Sequence, residues 1–343
     1  MVIPFDEECR KRYYGLLDKV FDSNMWSDGK MQRQFESMFE EYCGLGSCAV
    51  SSGGTGLITI LDYIGIEGKD VVVPANTFWA TAQAVKKCGG NVVYADCNRD
   101  DLCLSLESLK NVVTPNTKAV IVVHIGGHIA FQIEKIKEFC NQNSIYLIED
   151  CAHAHGADWN GKKAGSWGFA GSYSFYATKT LPLGEGGMVV SSNKKFIEFA
   201  KKYRNYGKEV IEGHVTYPIK NGFNYRINEM TAALGIVQME QFDRILEWKR
   251  CLAEKYDKVF ENRVHFPEGM TSGYYKYIVF DYELTEVTGQ VFGYDDLGYR
   301  IEGKSIELPN SEWVVKHHQC VPIFYGWDKA ELDSEELRKC LVR

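Results

Sequence analysis

Seven short apolar runs recur between Cys48 and Ser192: CAVSS (Cys48 to Ser52), VVVP (Val71 to Pro74), NVVYAD (Asn91 to Asp96), AVIVVH (Ala119 to His124), IYLIED (Ile145 to Asp150), SYSFYA (Ser172 to Ala177) and GMVVSS (Gly187 to Ser192). Several are continuously hydrophobic, and helical patterns such as TGLITILDYIG, FWATAQAVKKCG and IEKIKEFCNQN lie between them. A strand apolar on both sides must be covered on both sides, which crossover helices do for a parallel sheet. The expected fold class is therefore α/β, with a large lobe built on a mostly parallel seven-stranded sheet covered by helices. At 343 residues the chain exceeds one compact core, so a smaller C-terminal α+β lobe is expected as well. The pattern from Ile227 to about Asn262 is almost wholly helical and links the two, which sets the expected domains at 1–240 and 241–343.

The remaining bulk properties narrow the partners. Forty-six acidic against 39 basic side chains leave a formal charge of −7 without long single-sign runs, so neither nucleic acid nor an anionic membrane is expected. Eleven cysteines, an odd number with no CxxC pair, scatter from Cys9 to Cys340 and read as reduced thiols of a cytoplasmic protein. MVIPFDEECRKRYYG lacks a basic segment followed by an apolar one, and no window approaches 18 apolar residues, so neither a signal peptide nor a membrane span is expected.

Four features carry chemistry. Asp150 closes an apolar strand, and ligands of open α/β sheets sit at the carboxyl ends of strands. Lys179 follows the aromatic run SFYATKT, where partial desolvation would depress its pKa and make it a usable amine nucleophile. Gly53 and Gly54 in SSGGTGLITIL follow a strand and open a helix, a place where exposed N–H groups and the helix dipole favour phosphate. Phe78 and Trp79 in PANTFWATA follow another strand and offer an aromatic face to a flat ring. Singly these are ordinary turn, surface and core residues. Together they are the four parts of a pyridoxal phosphate site: an amine to hold the aldehyde, a carboxylate to keep the pyridine nitrogen protonated, an anion cradle and a stacking ring. Ser174, five residues before Lys179, can add a hydroxyl to the cradle.

The order SGG, TFWAT, VVHIGGH, EDCAHAHGA, SYSFYATKTLPLGEGGMVV and GFNYRINEMTAALG, from about Ser51 to Gln238, closely resembles the DegT group of sugar aminotransferases, fold-type I pyridoxal phosphate enzymes. The resemblance implies Lys179 as the Schiff-base lysine, Asp150 as the pyridinium partner, His153 near the cofactor's ring hydroxyl and Phe78 as the stacking aromatic. It places Ser174, Gly53 and Gly54 at the phosphate, with Thr55 supplying the hydroxyl that Gly-Thr provides in the family's usual turn. Asn224 would reach the phosphate of a neighbouring subunit, so a homodimer with active sites at the subunit interface is implied. Arg226 and His318 are candidates for holding substrate. The implied reaction moves an amino group from an amino acid, L-glutamate by resemblance, to a keto sugar carried on a nucleotide. The tail after Asp281 is shorter than the family's and departs from its pattern.

Other readings compete. A non-sugar ketone or cyclitol acceptor remains open. Sugar dehydration on the same fold replaces the lysine by histidine, against which Lys179 stands. GADWNGKKAG (Gly156 to Gly165) nearly spells a nucleotide phosphate loop, but Lys163 stands where Ser or Thr would bind Mg²⁺. His317, His318 and Cys320 lack a second cluster to complete a metal site, and His153 with His155 reads as one cofactor neighbour and one structural residue; no metal is expected.

Overall fold

The computed structural model of the chain describes residues 3–342. Its centre is a seven-stranded sheet. In spatial order the strands are Gly46–Val50, Gly187–Ser191, Ala170–Ser174, Tyr146–Asp150, Thr117–Val123, Asp70–Pro74 and Asn91–Ala95. Only Gly187–Ser191 runs against the rest, pairing antiparallel with both of its neighbours. The other pairings are parallel. The α/β class and the mostly parallel sheet read from the apolar runs are thus the observed ones.

The runs are continuous because their residues are buried on both sides: Val71–Val73 and Ala119–Ile121 have no exposed surface. Four connections return through helices, Gly53–Ile64, Trp79–Lys87, Leu106–Val112 and Ile133–Gln142, whereas the link from Tyr146–Asp150 to Ala170–Ser174 carries only a short hairpin. Two runs are shifted from expectation, the first being CAVSS, which falls in the strand Gly46–Val50. The SYSFYA strand begins earlier, at Ala170, and ends at Ser174. Phe175 to Lys179 leave the sheet as a turn, in which the Lys179 N–H donates to the Tyr176 carbonyl at 2.9 Å. Lys179 therefore stands beyond the strand end.

The helical stretch after Ile227 also divides. Glu229–Glu240 and Phe242–Asp257 are separate helices broken at Gln241, whose amide donates to the Pro4 carbonyl at 2.7 Å and to Gln238 Oε1 at 2.6 Å. The first of these helices packs on Lys30–Cys43. There Glu229 accepts from the N–H groups of Gly29, Met31 and Gln32, which caps that helix from outside.

A second hydrophobic cluster begins at Leu252 and gathers Tyr256, Phe260, Trp327 and Leu337. The strand Tyr277–Phe280, antiparallel to His318–Val321, joins the two cores. Tyr277 and Val279 face the second cluster, while Ile278 and Phe280 face the first. The segment 283–309 is largely irregular, with a short helix Gly298–Ile301.

Candidate active site

Five strands that point the same way end at one edge of the sheet, and the loops that leave them wall a single cavity of about 630 Å³. Ser52, Gly53 and Gly54 follow the first of these strands, Phe78 the second and Ile125 the third. Asp150 and His153 stand at the fourth, and Ser174 and Lys179 at the fifth. The short C-terminal segment closes it with Val291, Phe292, Asp296 and Ile301.

The glycine turn is built by local chemistry. Ser52 and Thr55 form a reciprocal capping box on helix Gly53–Ile64, with Thr55 N–H donating to Ser52 Oγ at 3.1 Å and Ser52 N–H to Thr55 Oγ1 at 3.0 Å. The Thr55 hydroxyl is spent in this cap and does not line the cavity, so it does not supply the missing phosphate-turn hydroxyl within this chain. A Cβ on Gly53 would lie 2.9 Å from that of Ser174, so glycine lets the helix start approach the Ser174 strand.

Asp150 is buried. Its Oδ2 accepts from Thr81 Oγ1 at 2.8 Å, and its Oδ1 from the Ala152 N–H at 3.1 Å. Burial pushes its carboxyl upward, against these two donors and the Lys179 charge. Burial also lowers Lys179, to about 8, with Asp150 opposing the shift and Lys276 adding to it. The Lys179 ammonium lies 4.7 Å from the centre of the Tyr275 ring. On the same ring His153 stacks at 4.1 Å, with its planes 23° apart. Burial, and after it the charge of Lys179, drives the His153 pKa well down, and its Nδ1 has no partner among the described residues. Phe78, 79% exposed, forms the open side of the cavity.

Neighbouring groups hold this wall in place. Glu149, fully buried, accepts from Gly165, Trp167 and Gly168 N–H at 2.6, 2.7 and 2.6 Å, and from His124 Nε2 at 2.9 Å. His124 Nδ1 accepts from Ala130 N–H at 3.1 Å, which leaves the proton on Nε2 and no lone pair for a metal, although Cys151 lies close by. GADWNGKKAG makes a two-residue hairpin, Asp158–Trp159 with Lys162–Lys163, and starts no helix. His155 packs between Tyr173 and Phe175.

Three residues singled out from the sequence lie away from the cavity. Asn224 is exposed and bridges Asn205. Arg226 bonds Asn205 Oδ1 and lies over the Tyr206 ring. His318 is buried behind Phe292, with Nδ1 on the Val314 carbonyl and Nε2 accepting from Val291 N–H at 3.0 Å. Both of its nitrogens are engaged, so the structure does not bring His318 to a substrate. Thr81 and Tyr275 are the wall residues that sequence reading passed over. Thr81 lay within the quoted TFWAT motif, one helical turn after Phe78; Tyr275 carried no local signal.

The strand-end site on this sheet has the build of a lysine-centred aminotransferase fold. The chain belongs to the DegT/DnrJ/EryC1/StrS aminotransferase family, whose model matches residues 8–281. It is 37% identical over 243 residues to GDP-perosamine synthase from Vibrio cholerae, and 33% identical over 234 residues to that of Escherichia coli O157:H7. These matches take in 70% and 68% of this chain but 65% and 64% of the relatives, so the chain spans just under two thirds of their length. Among solved structures it superposes on the aminotransferase TlmJ from Streptoalloteichus hindustanus with a TM-score of 0.85, at 25% identity, covering 96% of this chain and 95% of that one.

Proposed function

We propose that the protein is a pyridoxal phosphate-dependent aminotransferase that moves an amino group from an amino acid, L-glutamate in our reading, to a keto sugar carried on a nucleotide. The carrying observation is the convergence of half-buried Lys179 and buried Asp150 on one cavity with a glycine-opened helix N-terminus. Family membership and the GDP-perosamine synthase relatives favour a nucleotide-linked sugar over a free ketone or cyclitol.

The wall fits this cofactor. His153 Nδ1 is a buried polar atom that wants a hydrogen-bond partner, as a ring hydroxyl would be. The N–H groups of Gly53 and Gly54, with the Ser174 hydroxyl, would take its phosphate, Phe78 its open face and Asp150 its ring nitrogen. When bound, the group supplies an aldehyde that links to an amine and a ring that accepts the electrons released when a Cα–H bond breaks.

The chain's own residues do the rest. Lys179 tethers the aldehyde and, once freed, moves the proton, for which a pKa of about 8 suits its amine. Asp150, held by Thr81 and the Ala152 N–H, keeps a positive charge on the ring nitrogen. Tyr275 covers Lys179 and His153 and excludes water from that side.

A homodimer would complete the rim. Asn224 points away from its own cavity, and the apolar surface beside it (Val210, Ile211, Val215, Tyr217 and Phe223) is exposed, as expected of a face covered by a second copy. Free cysteines throughout the described chain favour a reducing, cytoplasmic setting.

The test is direct. Cofactor-loaded protein should show an absorbance band that borohydride abolishes while labelling Lys179. Incubated with L-glutamate and a panel of nucleotide keto sugars, it should yield products whose masses show amine in place of ketone. Labelling elsewhere, or an unlabelled chain, sinks the reading.

A further inference from the structure

Behind Lys179 lies a second chamber, of about 300 Å³, that the chemistry above does not use. Thr178, Lys179 and Tyr275 wall both spaces, so the two meet at the reactive amine. Lys249, Lys276 and Thr180 line the second chamber only, and no carboxylate lines it.

Three lysines thus face one space, and only Lys179 has a carboxylate near it, Asp150 of the larger cavity. Lys249 Nζ donates to the main-chain carbonyls of Tyr274 at 2.8 Å and Ile323 at 2.9 Å, and Lys276 Nζ to that of Thr288 at 3.2 Å. Neither is paired with an acidic side chain among the described residues. Lys249 is buried and Lys276 half-buried, and cations withdrawn from water are ordinarily paired, so a bound anion would supply the missing counter-charge. Burial, with Lys276 next in effect, brings Lys249 down to about 7. A further observation is independent of charge: the Thr180 hydroxyl, on a residue only 4% exposed, has no hydrogen-bond partner among the described residues. An orphan hydroxyl beside ammonium groups is what a bound oxyanion would satisfy.

We propose that this chamber holds the carboxylate of the amino donor, with Lys276 as its principal ligand and Lys249 and Thr180 in support, an assignment that rests on the aminotransferase reading. Bond count selects the carboxylate over the diphosphate of a nucleotide sugar. The donor's carboxylate sits on the same carbon as its amine, so an amine against Lys179 leaves the carboxylate one bond further on, within the adjoining chamber. The diphosphate is held off from the reacting carbon by a whole sugar ring. It requires the larger cavity, where the C-terminal segment 291–301 forms the far wall.

Calorimetric titration of cofactor-loaded protein tests this with glutarate, a dicarboxylate that has no amine and cannot react, and with GDP in a parallel arm. The unaltered protein should bind glutarate. Lys276→Met should weaken glutarate at least tenfold and Thr180→Val severalfold, with cofactor absorbance and GDP affinity unchanged. In single-turnover kinetics the same variants should raise the L-glutamate concentration for half-maximal rate and leave the limiting rate near its original value. Lys276 is half-buried, and a melting curve for each variant separates lost binding from lost fold. Absent glutarate binding, binding unchanged in Lys276→Met and Lys249→Met, or a loss of GDP affinity in its place would each overturn the assignment. Borohydride labelling of Lys179 stands apart from these outcomes: its failure removes the aminotransferase reading, whereas labelling together with unaffected glutarate removes only the chamber.

Discussion

The inner wall of the cavity and its outer rim are built on opposite terms. Asp150, Thr81, Glu149 and His124 are buried and tied by hydrogen bonds within one chain. The segment from Asn205 to Arg226 carries a hairpin, Glu209–Ile211 with His214–Thr216, whose side chains are largely exposed and include the apolar Val210, Ile211 and Val215. The first region is closed off by its own chain; the second presents its side chains to solvent. With its charged machinery tied up within one chain, the site leaves only the exposed rim open to a further contact.

The strongest way to break the comparison is at its centre. Lys179→Ala should cost on the order of 10³-fold or more in multiple-turnover transamination, since both tether and proton shuttle are lost, while soaked-in cofactor is still retained by the remaining wall. In the protein stripped of cofactor, acylation of Lys179 should rise through pH 8 rather than through the usual lysine range, because below about 8 the amine is protonated. A peptide map of the acylated protein across roughly pH 6–11, which spans the shifted and ordinary lysine values, checks both points.

Next is the support beneath the wall. Glu149→Gln turns an amide NH₂ toward donors that now meet carboxylate oxygens, and urea unfolding should show a loss on the order of 3 kcal/mol. An unchanged urea midpoint would mean that the buried network does not hold the site. The rim should respond otherwise. Ile211→Lys with Val215→Lys leaves each chain folded but should weaken self-association by at least tenfold, by about 1.4 kcal/mol, in sedimentation. Asn224→Ala should then loosen cofactor in mixed dimers through the neighbouring chain. A monomeric unaltered protein that retains cofactor would show the rim to be complete already.

How much of this was legible in the sequence follows the same division. The sheet and the pair Asp150 and Lys179 could be read because burial on both sides leaves continuous apolar runs, and because functional groups of such sheets gather where those runs stop. Tyr275 and Lys276 could not. They stand just before the strand Tyr277–Phe280, about a hundred residues further along, and YYKYIVF reads locally as an alternating strand with nothing to mark which residue meets Lys179. Thr55 was assigned to the phosphate turn by its position, but its hydroxyl closes a capping box with Ser52, a competition that no spacing reveals. His318 is named as a substrate candidate, yet the Val314 carbonyl and the Val291 N–H occupy its two nitrogens.

The finest test of the inner wall is Thr81, which touches the carboxylate and nothing that reacts. Its hydroxyl donates to Asp150 at 2.8 Å and is itself paired with Thr77 Oγ1 at 2.8 Å. Burial already raises the Asp150 pKa, and the Thr81 donor is one of the few groups that oppose it. Thr81→Val keeps the shape and removes that donor, so the charged carboxylate loses about 1 kcal/mol of support and its pKa rises further. The sign is fixed: the carboxylate is then protonated at a higher pH, and the acid limb of the kcat profile moves upward while the alkaline limb, set by Lys179, stays in place. The loss should be greatest on the acid side, up to about fivefold in kcat, with little change in KM for either substrate. Thr81→Ser, which restores the hydroxyl, should return the acid limb to its original position. A purely structural role would lower activity equally at every pH and would leave the limb where it was.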